Sequence, residues 1–316
     1  MSTNILRTAD GWFVVRGDSA VAIDTKAATT AELLADRVAV AQAADSHDIG
    51  TPVADLVPLA PVTTPCRVVA QMVNYRSHAR ESGFTGEIPP TFFRKASGSV
   101  CGPSEATVRP PHVQFLDYEV ELGLVIGAPL PVGTVVEEQD LPRFVAGLVL
   151  CNDVSARDVQ LTKGQFYESK SYPTFTPVGP YLVLLDEQDF AHLQDIRLRL
   201  CVNGEMRQDR TLADMITRPA RALTVLSRFQ ALEPGDLLLT GTPGGTALQA
   251  PPKPVEKLAA LLPPRIKWKA FFNSQRKNPR YLRTGDQVTA TAATADGRID
   301  LGEQRTPVTE GQGHGR

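Results

Sequence analysis

The sequence predicts an α+β, β-rich protein in two parts. A small N-terminal α+β domain with its linker spans residues 1–64, and a larger β-rich domain spans 65–309. Three observations carry this. From Cys66 onward, short apolar runs sit between Gly/Pro turns. Helical patterns there are few and do not alternate regularly with strands, which argues against a doubly wound βαβ sheet. The first sixty residues have their own texture, closed by Pro52, Pro58, Pro61 and Pro65.

In the N-terminal part, Ile5–Thr8 and Trp12–Arg16 flank an Ala-Asp-Gly turn and read as a hairpin, with Val21–Asp24 as a third strand. Thr29 to Ala44 lacks Pro and Gly and reads as one helix capped by Thr29 or Thr30, with Leu33, Leu34 and Val38 on one face. Beyond the linker, the expected strands are Arg67–Val73, Tyr118–Ile126, Phe144–Cys151, Tyr181–Leu185, Arg197–Val202, Leu237–Thr240 and Gln287–Ala292. Residues 246–283 read as an extended helical insertion. In it Val255–Leu262 forms a short helix ended by Pro263 and Pro264, and seven basic residues follow between Arg265 and Arg283. That segment fits a solvated basic helix with Trp268, Phe271 and Phe272 against the core. A positive flap near a site entrance is the alternative. Residues 310–316 read as a frayed tail.

Composition removes several classes. The chain has 316 residues, 42% hydrophobic and 22% charged, which is ordinary for a globular protein. Lys plus Arg is 33 and Asp plus Glu is 35, a net charge of −2, so nothing draws the whole molecule to nucleic acid or anionic membrane. Leu122 to Val136 lacks charge but is too short to span a bilayer and is broken by Gly and Pro. The N-terminus has no long apolar stretch of a secretory signal. Cys66, Cys101, Cys151 and Cys201 form no CxxC pair, so a zinc ribbon or disulfide scaffold is a poor reading and a cytoplasmic location is expected.

Three segments carry candidate chemistry. In Asp117-Tyr118-Glu119-Val120-Glu121-Leu122, the two glutamates fall on one face of a strand. A hard divalent cation such as Mg²⁺ or Mn²⁺ relieves their repulsion. On spacing alone, a solvent-facing strand edge is the better reading. Asn152 to Gln160 follows an apolar strand and places Asp153 at its end. Taken alone it reads as a helix start with an Asp153–Arg157 i,i+4 pair. Gly241-Thr242-Pro243-Gly244-Gly245 follows a strand and allows close backbone approach, but it lacks the pattern of a nucleotide-binding loop.

Taken together and in order, these segments resemble the fumarylacetoacetate hydrolase family. The resemblance runs from about Arg67 to Val308. It covers Asn74-Tyr75, His78 to Glu81, Asp117 to Gly127, Asn152 to Gln160, Lys170 to Pro180, Val202 to Glu205, Gly235 to Gly245 and Gly285-Asp286. Three departures stand out: Val73 where the family often has Gly, Lys95-Ala96 where it often has Lys-Pro, and an unusually long segment between Gly245 and Gly285.

The resemblance implies a mixed β-sandwich roll catalytic domain, a homodimer, and 2-oxo-acid chemistry on Mg²⁺ or Mn²⁺, with Ca²⁺ as a further option. It implies Glu119, Glu121 and Asp153 as metal ligands, with Asp117 behind them. Arg157, Gln160 and Thr242 would contact a small anionic 2-oxo-acid substrate. His78, Glu81 and Lys170 would be catalytic, with His78 and Glu81 on a mobile lid. The expected reaction is hydrolysis of a carbon–carbon bond in a 3-acylpyruvate or fumarylacetoacetate-like acid. An oxaloacetate-type decarboxylase, a 2-hydroxydienoate isomerase or hydratase, and a non-catalytic metal- or metabolite-binding dimer are the alternatives.

Overall fold

A computed structural model describes residues 2–84, 86–250 and 263–312. The strands in chain order are β1 (Thr3–Thr8), β2 (Gly11–Arg16), β3 (Ser19–Ala22), β4 (Thr51–Pro52), β5 (Val68–Met72), β6 (Thr91–Lys95), β7 (Val100–Cys101), β8 (Thr107–Arg109) and β9 (Leu116–Asp117). They continue as β10 (Val120–Ile126), β11 (Val145–Asn152), β12 (Ser155–Ala156), β13 (Thr176–Leu184), β14 (Arg197–Val202), β15 (Glu205–Thr211), β16 (Leu237–Leu239), β17 (Gln287–Ala293) and β18 (Asp300–Glu310). Each strand expected from the sequence is present within a few residues.

One mixed sheet runs β4-β3-β2-β1-β13-β11-β10-β16-β5-β6, and β7 pairs with β13. Because β7 follows β6 after one short turn, the sheet curls back on itself. A second sheet, β15-β14-β17-β18-β8, covers one face. The N-terminal strands are not a sheet of their own: β1 pairs with β13 from Thr3↔Leu184 to Leu6↔Tyr181.

Strands β10 and β11 are buried along their whole length. Their side chains alternate between two cores, so the strands read as near-continuous apolar runs. Val120, Leu122, Leu124 and Ile126 face the second sheet, beside Leu198, Leu200, Val288 and Ala290. Val125, Val149 and Cys151 belong to the other core, with Leu33, Leu34 and Val40 of the N-terminal helices.

The helix expected over Thr29–Ala44 is two, Thr30–Ala35 and Arg37–Asp45. Asp36 makes the break. Its carboxylate accepts from Thr25 Oγ1 at 2.6 Å and from Ala39 N at 3.3 Å, capping the second helix. The helical register restarts there. Val38 is therefore exposed, and Ala39, Val40 and Ala43 are buried in its place.

In the insertion, the short helix expected over Val255–Leu262 lies outside the described residues. Pro263 and Pro264 begin a helix, Pro264–Gln275, where the sequence reading had them end one; proline suits a first turn because its missing N–H has no partner there anyway. Phe272 stacks on Phe115 at 5.8 Å, while Trp268 stays half-exposed. At the C-terminus, Glu310 is still in β18, and Gly311 N donates to Arg109 O at 2.9 Å.

The inner strands leave no room at Gly147. A Cβ there would meet Val183 O at 2.3 Å. Gly147→Ala should cost about 3 kcal/mol of stability in denaturant unfolding, because the atom it meets belongs to the paired backbone.

Candidate active site

The sheet order brings several chain ends together. Strand β10 is antiparallel to β11 and β16, and β16 is parallel to β5. The start of β10 therefore lies beside the ends of β11, β16 and β5. Glu119 and Glu121 sit at the first, Asp153 follows the second, the Gly241–Gly245 turn follows the third, and Asn74-Tyr75 follows the fourth.

Glu119 lies in the gap between β9 and β10 and Glu121 in β10, yet with Asp153 they converge. Each places a carboxylate oxygen within 4.8 Å of the others, and all three are buried. The local backbone enforces this. Asp153 N donates to Glu119 O at 2.8 Å, and Glu119 N donates to Asn152 Oδ1 at 2.9 Å. The reading as a solvent-facing edge is therefore replaced by a buried acidic cluster.

Cations answer the buried charge. Lys170 Nζ donates to Glu119 Oε2 and to Asp153 Oδ2, each at 2.6 Å. Lys95, at the end of β6, donates to Asp153 Oδ1 and to Phe175 O. Arg157 donates to Asp117 Oδ2 at 2.8 Å, to Glu119 Oε1, and to Gln160 Oε1 at 2.9 Å. The i,i+4 pair between Asp153 and Arg157 does not form. Ser155 and Ala156 are extended as β12 and pair with β9, which points Arg157 at Asp117 instead.

Glu121 alone of the three has no cation bonded to it. Its Oε2 accepts only the Gly241 N–H at 2.7 Å. Burial, and then the neighbouring Asp153 and Glu119 charges, push its carboxyl well above the usual range. Burial also disfavours the Glu119 carboxylate, but Arg157 and Lys170 outweigh it and hold that carboxyl low. Desolvation opposes the Lys170 ammonium, and Asp153 and Glu119 overcome it, so Lys170 stays charged. Three oxygen donors converging with one left short of positive charge fit a hard divalent cation.

The turn after β16 is shaped by the same cluster. Gly241 has φ +89°, and a Cβ there would meet Asn74 Cβ at 2.8 Å. Only glycine takes this backbone easily and lets its N–H reach Glu121. The Thr242 hydroxyl lines the cavity but is committed, donating to Val120 O at 3.0 Å and accepting from Gln208 Nε2 at 2.8 Å. Asp117 is fully buried and accepts from Ala247 N at 2.8 Å and Leu248 N at 3.0 Å.

His78 and Glu81 lie on the short helix Arg76–Glu81. That helix is docked on the turn: Gly245 N donates to Glu81 Oε2 at 2.7 Å, and Gly244 N to Ser77 Oγ at 2.9 Å. His78 faces the cavity, and its Nδ1 is buried without a partner. Burial lowers the pKa of His78, opposed by the Glu119 charge.

The cavity is about 360 Å³ and is lined by Glu119, Glu121, Asp153, Lys170, Arg157 and His78 on its polar side. Gln160 and Thr242 also line it. Of the residues expected from the sequence, only Glu81 is not on its wall. Sequence reading missed Lys95 and Gln71. Lys95 appeared only as a departure from a motif, yet its side chain is buried against Asp153. The signal was a lysine closing a short strand that carries two phenylalanines, Phe92 and Phe93. Glu121→Gln should weaken Mn²⁺ binding by more than about 100-fold in calorimetry, because it removes the carboxylate that lacks a cation of its own.

Comparison with known proteins agrees with this architecture. Residues 67–309 match the family model described as Fumarylacetoacetate (FAA) hydrolase C-terminal. The mitochondrial oxaloacetate tautomerase Fahd2a of Rattus norvegicus is 37% identical over 191 residues, covering 60% of this chain and 59% of that one. The 2,4-didehydro-3-deoxy-L-rhamnonate hydrolase of a Sphingomonas strain is 41% identical over 180 residues, 57% of this chain and 61% of that one. The chain thus spans about three fifths of the length of these curated relatives. A solved structure of a probable 2-hydroxyhepta-2,4-diene-1,7-dioate isomerase from Mycobacterium abscessus superposes with TM-score 0.75 at 30% identity, covering 99% of this chain and all of that one. Matched over more than two thirds of its length and built on the same fold, the chain belongs to the fumarylacetoacetate hydrolase family of enzymes.

Proposed function

We propose that this protein is a Mg²⁺- or Mn²⁺-dependent hydrolase that cleaves a carbon–carbon bond in a 3-acylpyruvate. The observation that carries the reading is a partner-free imidazole facing the same cavity as the three converging carboxylates. Glu119, Glu121 and Asp153 would hold the cation. When bound, it supplies positive charge for the negative charge that develops on the 2-oxo-acid fragment.

The chain's own residues do the rest. Lys170 spends two of its three N–H donors on Glu119 and Asp153, which leaves one for a substrate oxygen. Neutral His78 takes a proton from the attacking water at Nδ1. Glu81 acts by holding the helix of His78 against Gly245, and Arg157 by fixing Glu119 and Asp117.

The remaining wall favours an uncharged acyl arm. Met72, Val73, Phe84, Phe93, Phe166 and Leu248 line it. The described cations on the wall, Lys170 and Arg157, are already paired with acids. A second carboxylate on the arm would be desolvated against carbon without a counter-ion. The names of the relatives favour a second reading, tautomerisation or isomerisation of a related 2-oxo acid. That reaction uses the same proton-transfer groups without attacking water.

Pyruvate release separates the two. Purified protein with Mg²⁺ or Mn²⁺ should release pyruvate from acylpyruvates and stop on chelation. Conversion of oxaloacetate between its keto and enol forms, with no pyruvate from acylpyruvates, would establish the second reading instead. His78→Ala should lower hydrolysis by about 100-fold or more while Mn²⁺ binding, measured by calorimetry, is unchanged.

The pH profile follows from His78. Its neutral form is the base, and burial moves its pKa below the ordinary 6.5. kcat/KM should therefore be flat through neutrality and fall only as pH drops below 6.5, through the lowered pKa. An acid limb centred above that value would assign the base elsewhere.

A further inference from the structure

Gln71 is the next-to-last residue of β5 and is only 2% exposed. Its side chain lines the cavity with the three carboxylates and His78. Its Oε1 is buried with no hydrogen-bond partner, and its Nε2 bonds to no described residue. An unpaired buried amide oxygen is costly, and the oxygens of the other amides around the site all accept a hydrogen bond, Asn152 from Glu119 N among them, although Asn152 leaves its own Nδ2 without a partner. Asn74 donates to Thr217 O and Thr240 O and accepts from Thr217 N. Gln208 accepts from Val120 N and donates to Thr242 and Pro243. Gln160 accepts from Arg157. The rest of β5 is Val68, Val69, Ala70 and Met72, so an apolar residue would suit position 71 in the free protein. The amide therefore has its use in the bound state.

The chemistry of Oε1 narrows what it meets. It needs a hydrogen-bond donor. The carboxylate and ketone oxygens of a 2-oxo acid only accept. A hydroxyl donates to Oε1 and can also accept from Nε2. Resting on the 2-oxo-acid reading of the cavity, we propose that Gln71 is a specificity-determining residue that accepts a hydrogen bond from a hydroxyl of the substrate. Two sources offer one: an alcohol on the acyl arm, or the enol hydroxyl of the acylpyruvate itself.

The test compares wild type with Gln71→Met and Gln71→Leu. Each protein is assayed with Mn²⁺ on 2,4-dioxopentanoate and on 5-hydroxy-2,4-dioxopentanoate, titrated with oxalate in the presence of Mn²⁺, and melted without ligand. Melting temperature should rise by about 2–4 °C in the variants, since an unpaired amide is replaced by carbon. Oxalate has no hydroxyl and should bind all three proteins equally. If Gln71 reads the alcohol, kcat/KM falls about tenfold or more on the hydroxylated substrate only. If it reads the enol, the loss is the same on both. Variants within twofold of wild type on both substrates overturn the proposal, and so does an unchanged melting temperature, which would mean Oε1 is already satisfied. Failure of wild type to bind oxalate with Mn²⁺ would instead overturn the 2-oxo-acid reading, and the role of Gln71 with it.

Discussion

The structure depends on neutralising a block of buried acid. Asp117, Glu119, Glu121 and Asp153 are all removed from solvent at one end of the main sheet. Left alone, such a cluster would neutralise itself by taking up protons or would prevent folding. Three cations reach it from separate parts of the chain: Lys95 from β6, Arg157 from the helix after β12, and Lys170 from the loop before β13. Four acids meet three cations, and the shortfall is local. Glu119 and Asp153 are each held by two cations and Asp117 by one, whereas Glu121 rests on a single backbone N–H. The position of the missing charge is therefore set by the fold before any ligand arrives.

The same acids organise the backbone around them. Asp117 takes Arg157 on one side and the N–H groups of Ala247 and Leu248 on the other, so it ties the helix after β12 to the segment after β16. Glu121 fixes the start of that segment through Gly241, and Glu81 fixes its far end through Gly245. Arg280 closes it from outside, donating to Gly245 O at 2.6 Å. The Gly241–Gly245 turn is thus anchored at both ends by carboxylates. Its glycines serve close approach rather than mobility. The short His78 helix inherits its position from this turn, so charge balance and the placement of His78 are one constraint.

Much of this was legible in the sequence, and the remainder was not for definable reasons. Strand positions were visible because the inner strands face apolar cores on both sides, leaving unbroken runs such as Val120–Ile126. The acidic cluster was visible as an ordered set of segments, although no single spacing distinguished it from a surface strand. Pairing was not visible. Asp153 and Arg157 stand four apart, and only the two extended residues between them send Arg157 to a different acid. Lys95 lies 58 residues from the aspartate it neutralises, a distance that no local pattern encodes. The break at Asp36 escaped because a capping aspartate in a run of good helix formers leaves little mark until its partners, Thr25 and Ala39, are placed.

The polar groups around the cavity divide into two kinds, and the division says what the site is built to do. Arg157, Gln160 and the Thr242 hydroxyl are bonded to other protein groups and act as framework. Lys170 keeps one donor in reserve, Glu121 lacks a counter-ion, and His78 Nδ1 and Gln71 Oε1 have no partner at all. Each of these four costs stability in the free protein, because a buried polar group left unpaired loses its hydration without return. All four line one cavity of about 360 Å³ whose other wall is largely hydrocarbon. Such a concentration of unmet hydrogen-bonding and charge is what a preorganised site requires: its groups are held in place by a satisfied framework and completed only by what enters.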